Sequence, residues 1–218
     1  MKKWVVAVIS VIAVGLVGFA YEERAITRDD EEKLRVAEDI KGEMEQKYDI
    51  VITKSVGTYS NKVGYMATLT TEDGITFDAW SETDFYMEEV FRKKGLDEWG
   101  YAGKFIPDVE KVDLNVGYRD ENEANNSHLH QSLMDVSKYL WLMLYVDLRT
   151  SYEEQNVAKV EEGIFQYIQQ LQHDGGSEVE LIVRHKNDSG SYMIIRDEHG
   201  RMPVLEDAES VADYLVTN

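Results

Sequence analysis

Trp4 to Ala20, WVVAVISVIAVGLVGFA, is a run of seventeen residues without a charge, placed directly behind Lys2 and Lys3. A helix rises about 1.5 Å per residue, so the run spans about 26 Å, slightly short of the usual hydrocarbon core of a bilayer. Trp4 and Tyr21 stand at its two ends, where amphipathic rings prefer the headgroup layer. The lysines before it and Glu22 and Glu23 after it predict a cytoplasmic N-terminus and a body outside. Gly18-Phe19-Ala20 is also a small-x-small site, so secretion after cleavage at Ala20 is the alternative. The run is longer than the usual apolar region of a signal peptide, which favours a retained single-pass anchor. Either route carries the rest of the chain out of the cytoplasm.

That remainder is acidic. Leaving out the first twenty residues removes two lysines and no acids, so 21 basic residues face 42 acidic ones, a net charge of −21. Such a body repels nucleic acid and anionic lipid headgroups, and it favours basic protein partners or cations. Cysteine is absent, which excludes thiolate metal sites, a thiol nucleophile and disulfides. An exported chain without cysteine fits a bacterial envelope protein held together by its core.

Hydropathy patterning predicts an α+β body of antiparallel sheets packed by amphipathic helices. From Thr27 to Asp49, Leu34, Ala37, Ile40, Met44 and Tyr48 recur at three and four, with Thr27 or Asp29 as the cap. The period then becomes two. Ile50–Thr53, Tyr65–Thr71 and Ile75–Trp80 read as three antiparallel strands, with turns at Ser60-Asn61-Lys62 and Glu72-Asp73-Gly74. Ser81-x-x-Asp84 predicts a capped short helix that stops at Lys93-Lys94-Gly95. Val109–Tyr118 alternates as a strand, and the polar stretch Arg119–Ser127 reads as an exposed loop or boundary.

His128–Lys138 reads as helical. In Leu140–Leu148, leucine and valine alternate with Trp141, Met143, Tyr145 and Asp147, which predicts a strand buried on both sides. Ser151-x-x-Glu154 opens a long helix carrying Val157, Val160, Ile164, Ile168 and Leu171, which Asp174-Gly175-Gly176 ends. Val179–His185 and Ser191–Arg196 make a hairpin, a short strand follows Glu198-His199-Gly200, and Ala208–Val216 closes as a helix. Gly64 to Gly74 and Gly190 to Gly200 have the same spacing, which suggests two repeated helix–meander–helix units. The domain reading is therefore 1–21 as anchor or uncleaved signal, 22–120 as the first α+β unit and 121–218 as the second.

Motifs for chemistry are sparse. His128 and His130, with Glu121 and Glu123 nearby, are the residue types of a zinc site that could activate water for hydrolysis. On a helix, however, positions i and i+2 diverge, so solvated histidines explain the pair more simply. Asp120, Asn122 and Asn125 lack the order and the glycine of a calcium loop. No nucleophile elbow, phosphate loop or dinucleotide fingerprint occurs, and no cofactor is implied. Trp80, Phe85, Tyr86, Trp99, Tyr101 and Phe105 are a dense aromatic set, either core or a groove for a peptide or glycan.

The expectation is a non-catalytic, membrane-anchored protein that binds a protein or peptide outside a bacterial cell. A His-x-His hydrolase and a scaffold subunit of a membrane assembly are the alternatives.

Overall fold

Every residue from 29 to 48 is helical (α1), and the apolar face the spacing predicts is buried at Ala37, Ile40 and Met44. The computed structural model describes residues 29–120 and 126–217. The Trp4–Ala20 run, Thr27, Glu121 and Glu123 lie outside the described residues. Among the described residues, no helix is long and apolar enough to cross a membrane. The chain divides into two compact units between Tyr86 and Met87.

In the first unit, β1 (Ile52–Ser60), β2 (Gly64–Thr71), β3 (Thr76–Trp80) and β4 (Thr83–Asp84) form an antiparallel meander in that order. The second and third predicted strands are present, the first begins at Ile52 and runs on to Ser60 instead of occupying Ile50–Thr53, and a two-residue fourth is added. α1 packs on the face that carries Ala67, Leu69, Phe77 and Ala79, all buried. The Ser55 hydroxyl donates to the Ala37 carbonyl at 3.1 Å, and a side chain on Gly57 would collide with the Lys33 carbonyl. Small residues thus let the helix backbone descend onto β1, centring its buried face on Ala37. Leu34, expected on that face, is rotated off it and is 63% exposed.

Ile52 and Ser55 both face α1 although they are three positions apart, an odd spacing for one strand face. The register shift between Ile52 and Lys54 supplies the bulged residue that makes this possible. The Ser81-x-x-Asp84 segment is not a capping box. Ser81 takes a positive φ of 49° in the turn to β4, and Asp84 accepts from the Tyr86 N–H at 3.2 Å.

In the second unit, β5 (Val109–Tyr118), β6 (Leu140–Leu148), β7 (Val179–Arg184), β8 (Ser191–Ile194) and β9 (Leu215–Val216) form a mixed sheet in sequence order. β5 and β6 have the predicted limits. β5, counted from sequence with the first half, pairs along its whole length with β6. β6 and β7 are parallel, which a helical crossover requires, and the other pairs are antiparallel. The crossover is the predicted long helix, here α4 (Val157–His173), with Val160, Ile164, Ile168 and Leu171 buried. The Ser151–Glu154 capping box exists but closes a 3₁₀ turn. α4 itself is capped by Asn156, whose side chain accepts from the Lys159 N–H at 3.3 Å.

The helix α2 (Tyr86–Trp99) runs through Gly95 instead of ending there. A Cβ on Gly95 would overlap Leu114 Cδ2, so this glycine admits β5 close to the helix. Between Asn126 and Tyr139 the predicted helix is broken into two 3₁₀ turns around α3 (Leu133–Val136). No strand directly follows Gly200; residues 201–206 are irregular, with Met202 and Leu205 tucked inward. The predicted closing helix is a 3₁₀ helix, Glu209–Tyr214, that buries Val211 and leads into β9. The architecture is α+β, with one antiparallel and one mixed sheet.

Candidate functional site

The six aromatics divide between the units. In the first, Tyr86 is core, its ring tilted against Tyr48 at 4.6 Å and Phe77 at 5.1 Å, while Trp80 and the exposed Phe85 pair at 5.3 Å. In the second, Trp99 is fully buried and its indole N–H donates to the Asp174 carbonyl at 3.3 Å. The Tyr101 hydroxyl donates to Asp174 Oδ2 at 2.6 Å, and its ring meets Tyr167 edge-on at 5.6 Å. Tyr167, fully buried, donates to the Trp99 carbonyl at 2.6 Å. Trp99, Tyr101 and Phe105 therefore pack between the end of α2 and the C-terminal half of α4. Asp174 is held down to about 2 by the Tyr101 hydroxyl, then by His173 and Gln170, while burial and that same bond push Tyr101 up.

His128 lies in the 3₁₀ turn Asn126–His130, buried between two tyrosines. Its ring stacks on Tyr139 at 4.9 Å and on Tyr118 at 6.4 Å, and its buried Nδ1 has no hydrogen-bond partner among the described residues. His130 is exposed. Among the described residues no three His, Asp or Glu side chains gather around a common point.

A different surface emerges from the second sheet. The row Leu140, Leu142, Leu144, Val146 and Leu148 is buried, flanked by Leu114 on β5 and by Val179, Leu181 and Val183 on β7. Gly95 of α2 meets the sheet on this side, at Leu114. The strand's other side is not buried as expected. Trp141 is 53% exposed, and Met143 and Tyr145 are half-buried.

The register sets Tyr145 beside Ile182, and Ile182 beside Met193, which is 39% exposed. Ile195, just past β8, is 53% exposed in the same row. Opposite Trp141 stands Gly117, where an added Cβ would meet nothing within 4 Å. The indole thus borders a notch with no side chain in it.

Charges around this stripe are paired. Arg184 donates to Asp147 at 2.7 and 3.1 Å and lies 4.7 Å over the Tyr145 ring. Asp113 takes Arg92 and Lys111, each at 2.6 Å. Glu180 takes the Trp141 indole N–H at 3.0 Å and Arg196 at 3.2 Å. The result is an aromatic and thioether surface with an ion-paired border, in which only Arg196 Nη1 is buried without a hydrogen-bond partner among the described residues, suited to an apolar patch of another macromolecule. In sequence, the alternation of Leu140–Leu148 displays both rows of side chains, but exposure is decided by which row the helices cover.

No protein-family model matches this chain, and no curated protein matches it significantly in sequence.

Proposed function

We propose that this chain is a non-catalytic interaction protein of a bacterial envelope, tethered by Trp4–Ala20, that docks a protein partner on the open face of its second sheet. The observation that carries this reading is Trp141. An indole more than half exposed on a sheet face lined by Met143, Tyr145, Met193 and Ile195 is a costly arrangement for an isolated surface. Tryptophan and tyrosine anchors of this kind dominate binding energy where a partner excludes water from them. The border ions are neutralised within the protein, so specificity rests on shape and apolar area more than on charge. The tether is supported by the uncharged run behind Lys2 and Lys3. The duplication reading draws on α1–β1–β2 and α4–β7–β8, each running helix, strand, turn, antiparallel strand.

The test is co-purification from solubilised envelope with wild-type chain and with Trp141→Ala as bait. A stoichiometric partner held by the wild type and lost by the variant supports the reading. Equal recovery by both baits removes the open face from it, and a full-length chain found freely dissolved in the cytosol removes the tether.

A further inference from the structure

We infer that the free edge of β1 is a docking strand for an extended, basic segment of a partner polypeptide. This surface lies in the first unit and is independent of the open face described above. β1 is the outermost strand of its sheet, and among the described residues it pairs only with β2. From Lys54 to Ser60 its register is regular, so alternate backbone N–H and C=O groups along seven residues point away from β2. Edge strands are ordinarily blunted by proline, by clustered charges or by brevity. β1 has nine residues, no proline and Lys54 as its single charge, and its one bulge lies at the Ile52–Lys54 end, outside the regular stretch.

The contacts of α1 show what overhangs that edge. Tyr65 of β2 donates to Asp29 at 3.1 Å and Lys47 reaches Asp84 of β4 at 2.7 Å, which marks the inner flank of the helix. Glu45 accepts from the Ile52 N–H of β1 at 2.9 Å and marks the outer flank. Leu34 precedes Glu45 by eleven residues, about three helical turns, and so lies on the same outer flank. It is exposed there, above the same face of β1 that carries Tyr59, itself 53% exposed. Val56, 42% exposed, offers an apolar position on the opposite face. An added strand would set alternate side chains against Leu34 and Tyr59 on one side and against Val56 on the other.

Charge selects the occupant. Positions three, four, seven and eleven from Leu34 share its flank, and they hold Asp30, Glu31, Glu38, Lys41 and Glu45; Lys33 reaches Asp30 at 3.4 Å and Lys41 lies 4.0 Å from Glu38, so the flank keeps a net negative charge centred on Glu31 and Glu45. A segment with lysine or arginine at alternate positions would lay aliphatic stems on Leu34 and place its cations among these carboxylates. A second copy fits poorly, because pairing β1 with β1 brings two acidic flanks face to face.

The probe is a nine-residue peptide alternating lysine and valine, with a glutamate–valine peptide as control, added to full-length chain in phosphatidylcholine nanodiscs. The lysine peptide is expected to slow amide hydrogen exchange at residues 54–60 by at least tenfold, with affinity that falls as salt rises. Leu34→Lys, at an exposed position and with unchanged Tm, is expected to weaken it about tenfold, while Trp141→Ala leaves it unaltered. Binding without protection of β1, binding indifferent to Leu34→Lys, or no binding at all overturns the proposal. So does β1 protection that grows with chain concentration in the absence of peptide, which would mark a second copy as the occupant.

Discussion

The Trp141 indole N–H and the Glu180 carboxylate meet at 3.0 Å across neighbouring parallel strands, and the other oxygen of that carboxylate holds Arg196 at 3.2 Å. The bond fixes the indole by its polar end and leaves its apolar body outward. Glu180 and Arg196 are much less accessible, at 14% and 10% of their side chains. Ring and ion pair therefore have separable roles. Trp141→Ala is expected to lower partner affinity about 30-fold, a loss of about 2 kcal/mol, while unfolding free energy changes by less than about 1 kcal/mol. Glu180→Ala strands a largely buried guanidinium and is expected to destabilise the fold by about 3 kcal/mol. Partner titration and urea unfolding on both variants separate the two effects.

Two helical glycines test how closely each helix is packed. A Cβ at Gly95 would overlap Leu114 Cδ2 and lie 3.3 Å from Leu133 Cδ2, whereas at Gly42 it would meet nothing within 4 Å. Alanine improves helix propensity by about 1 kcal/mol at either site. At Gly95 overpacking outweighs that gain, and a net loss of about 1–2 kcal/mol is expected. Gly42→Ala should stabilise by up to about 1 kcal/mol. Tm values of opposite sign in the two variants are the signature, and a stabilised Gly95→Ala would show that the helix can lift off β5.

The same glycine explains what was and was not legible in the sequence. Gly95 behind two lysines is a local stop signal, and only the nearness of Leu114 reveals it as a packing residue. Periodicity located β2, β6 and α4 because each buries one row of side chains, and it also gave β5 its limits although only Leu114 of that strand is fully buried. It could not say that β5 belongs with β6 or that β6 and β7 run parallel, since pairing partners leave no mark on a single strand's pattern. Trp141 was visible as one of two alternating rows in β6. Its exposure follows from helices lying on the leucine side, a tertiary choice. Spacing from Ala37 puts Leu34 on the core face, but the small residues Ser55 and Gly57 draw the helix down at Ala37 and leave Leu34 off that face.

Asp174 and Tyr101 define an acid-sensitive tie at the end of α4. The carboxyl is held at about 2, below its ordinary 3.8, first by the Tyr101 hydroxyl at 2.6 Å. A carboxyl depressed in the folded state adds stability that is present above pH 3.8 and lost as pH falls toward 2. Tyr101→Phe removes the leading donor. Asp174 is then expected to titrate nearer 3.8, and the stability difference between wild type and variant to shrink as pH drops through that window. Carboxyl chemical shifts followed from pH 5 to 2 measure it directly, and an unmoved Asp174 would assign its depression to His173 and Gln170 instead.

His185 makes the second unit sensitive at milder acidity. Its side chain is buried against Tyr152, edge-on at 5.3 Å, and Tyr192 at 5.8 Å, and neither ring nitrogen is in hydrogen-bond geometry with a described residue. Burial lowers its pKa from 6.5, partly opposed by the Glu153 carboxylate and the Thr150 backbone. Glu161 also lies near this packing, accepting from the Tyr192 hydroxyl at 3.2 Å, and Arg184 and Lys186 flank His185 in sequence. A histidine kept neutral in the folded state binds its proton more readily when unfolded, so stability falls as pH drops below about 6.5 and levels off once pH passes the lowered folded value. One such proton contributes a slope of at most about 1.4 kcal/mol per pH unit. His185→Leu keeps an apolar plug between the tyrosines and removes the titration, so its unfolding free energy should lose that part of the slope between pH 7 and 5. Parallel pH profiles for the two proteins would instead place the imidazole in contact with water or a proton acceptor in solution.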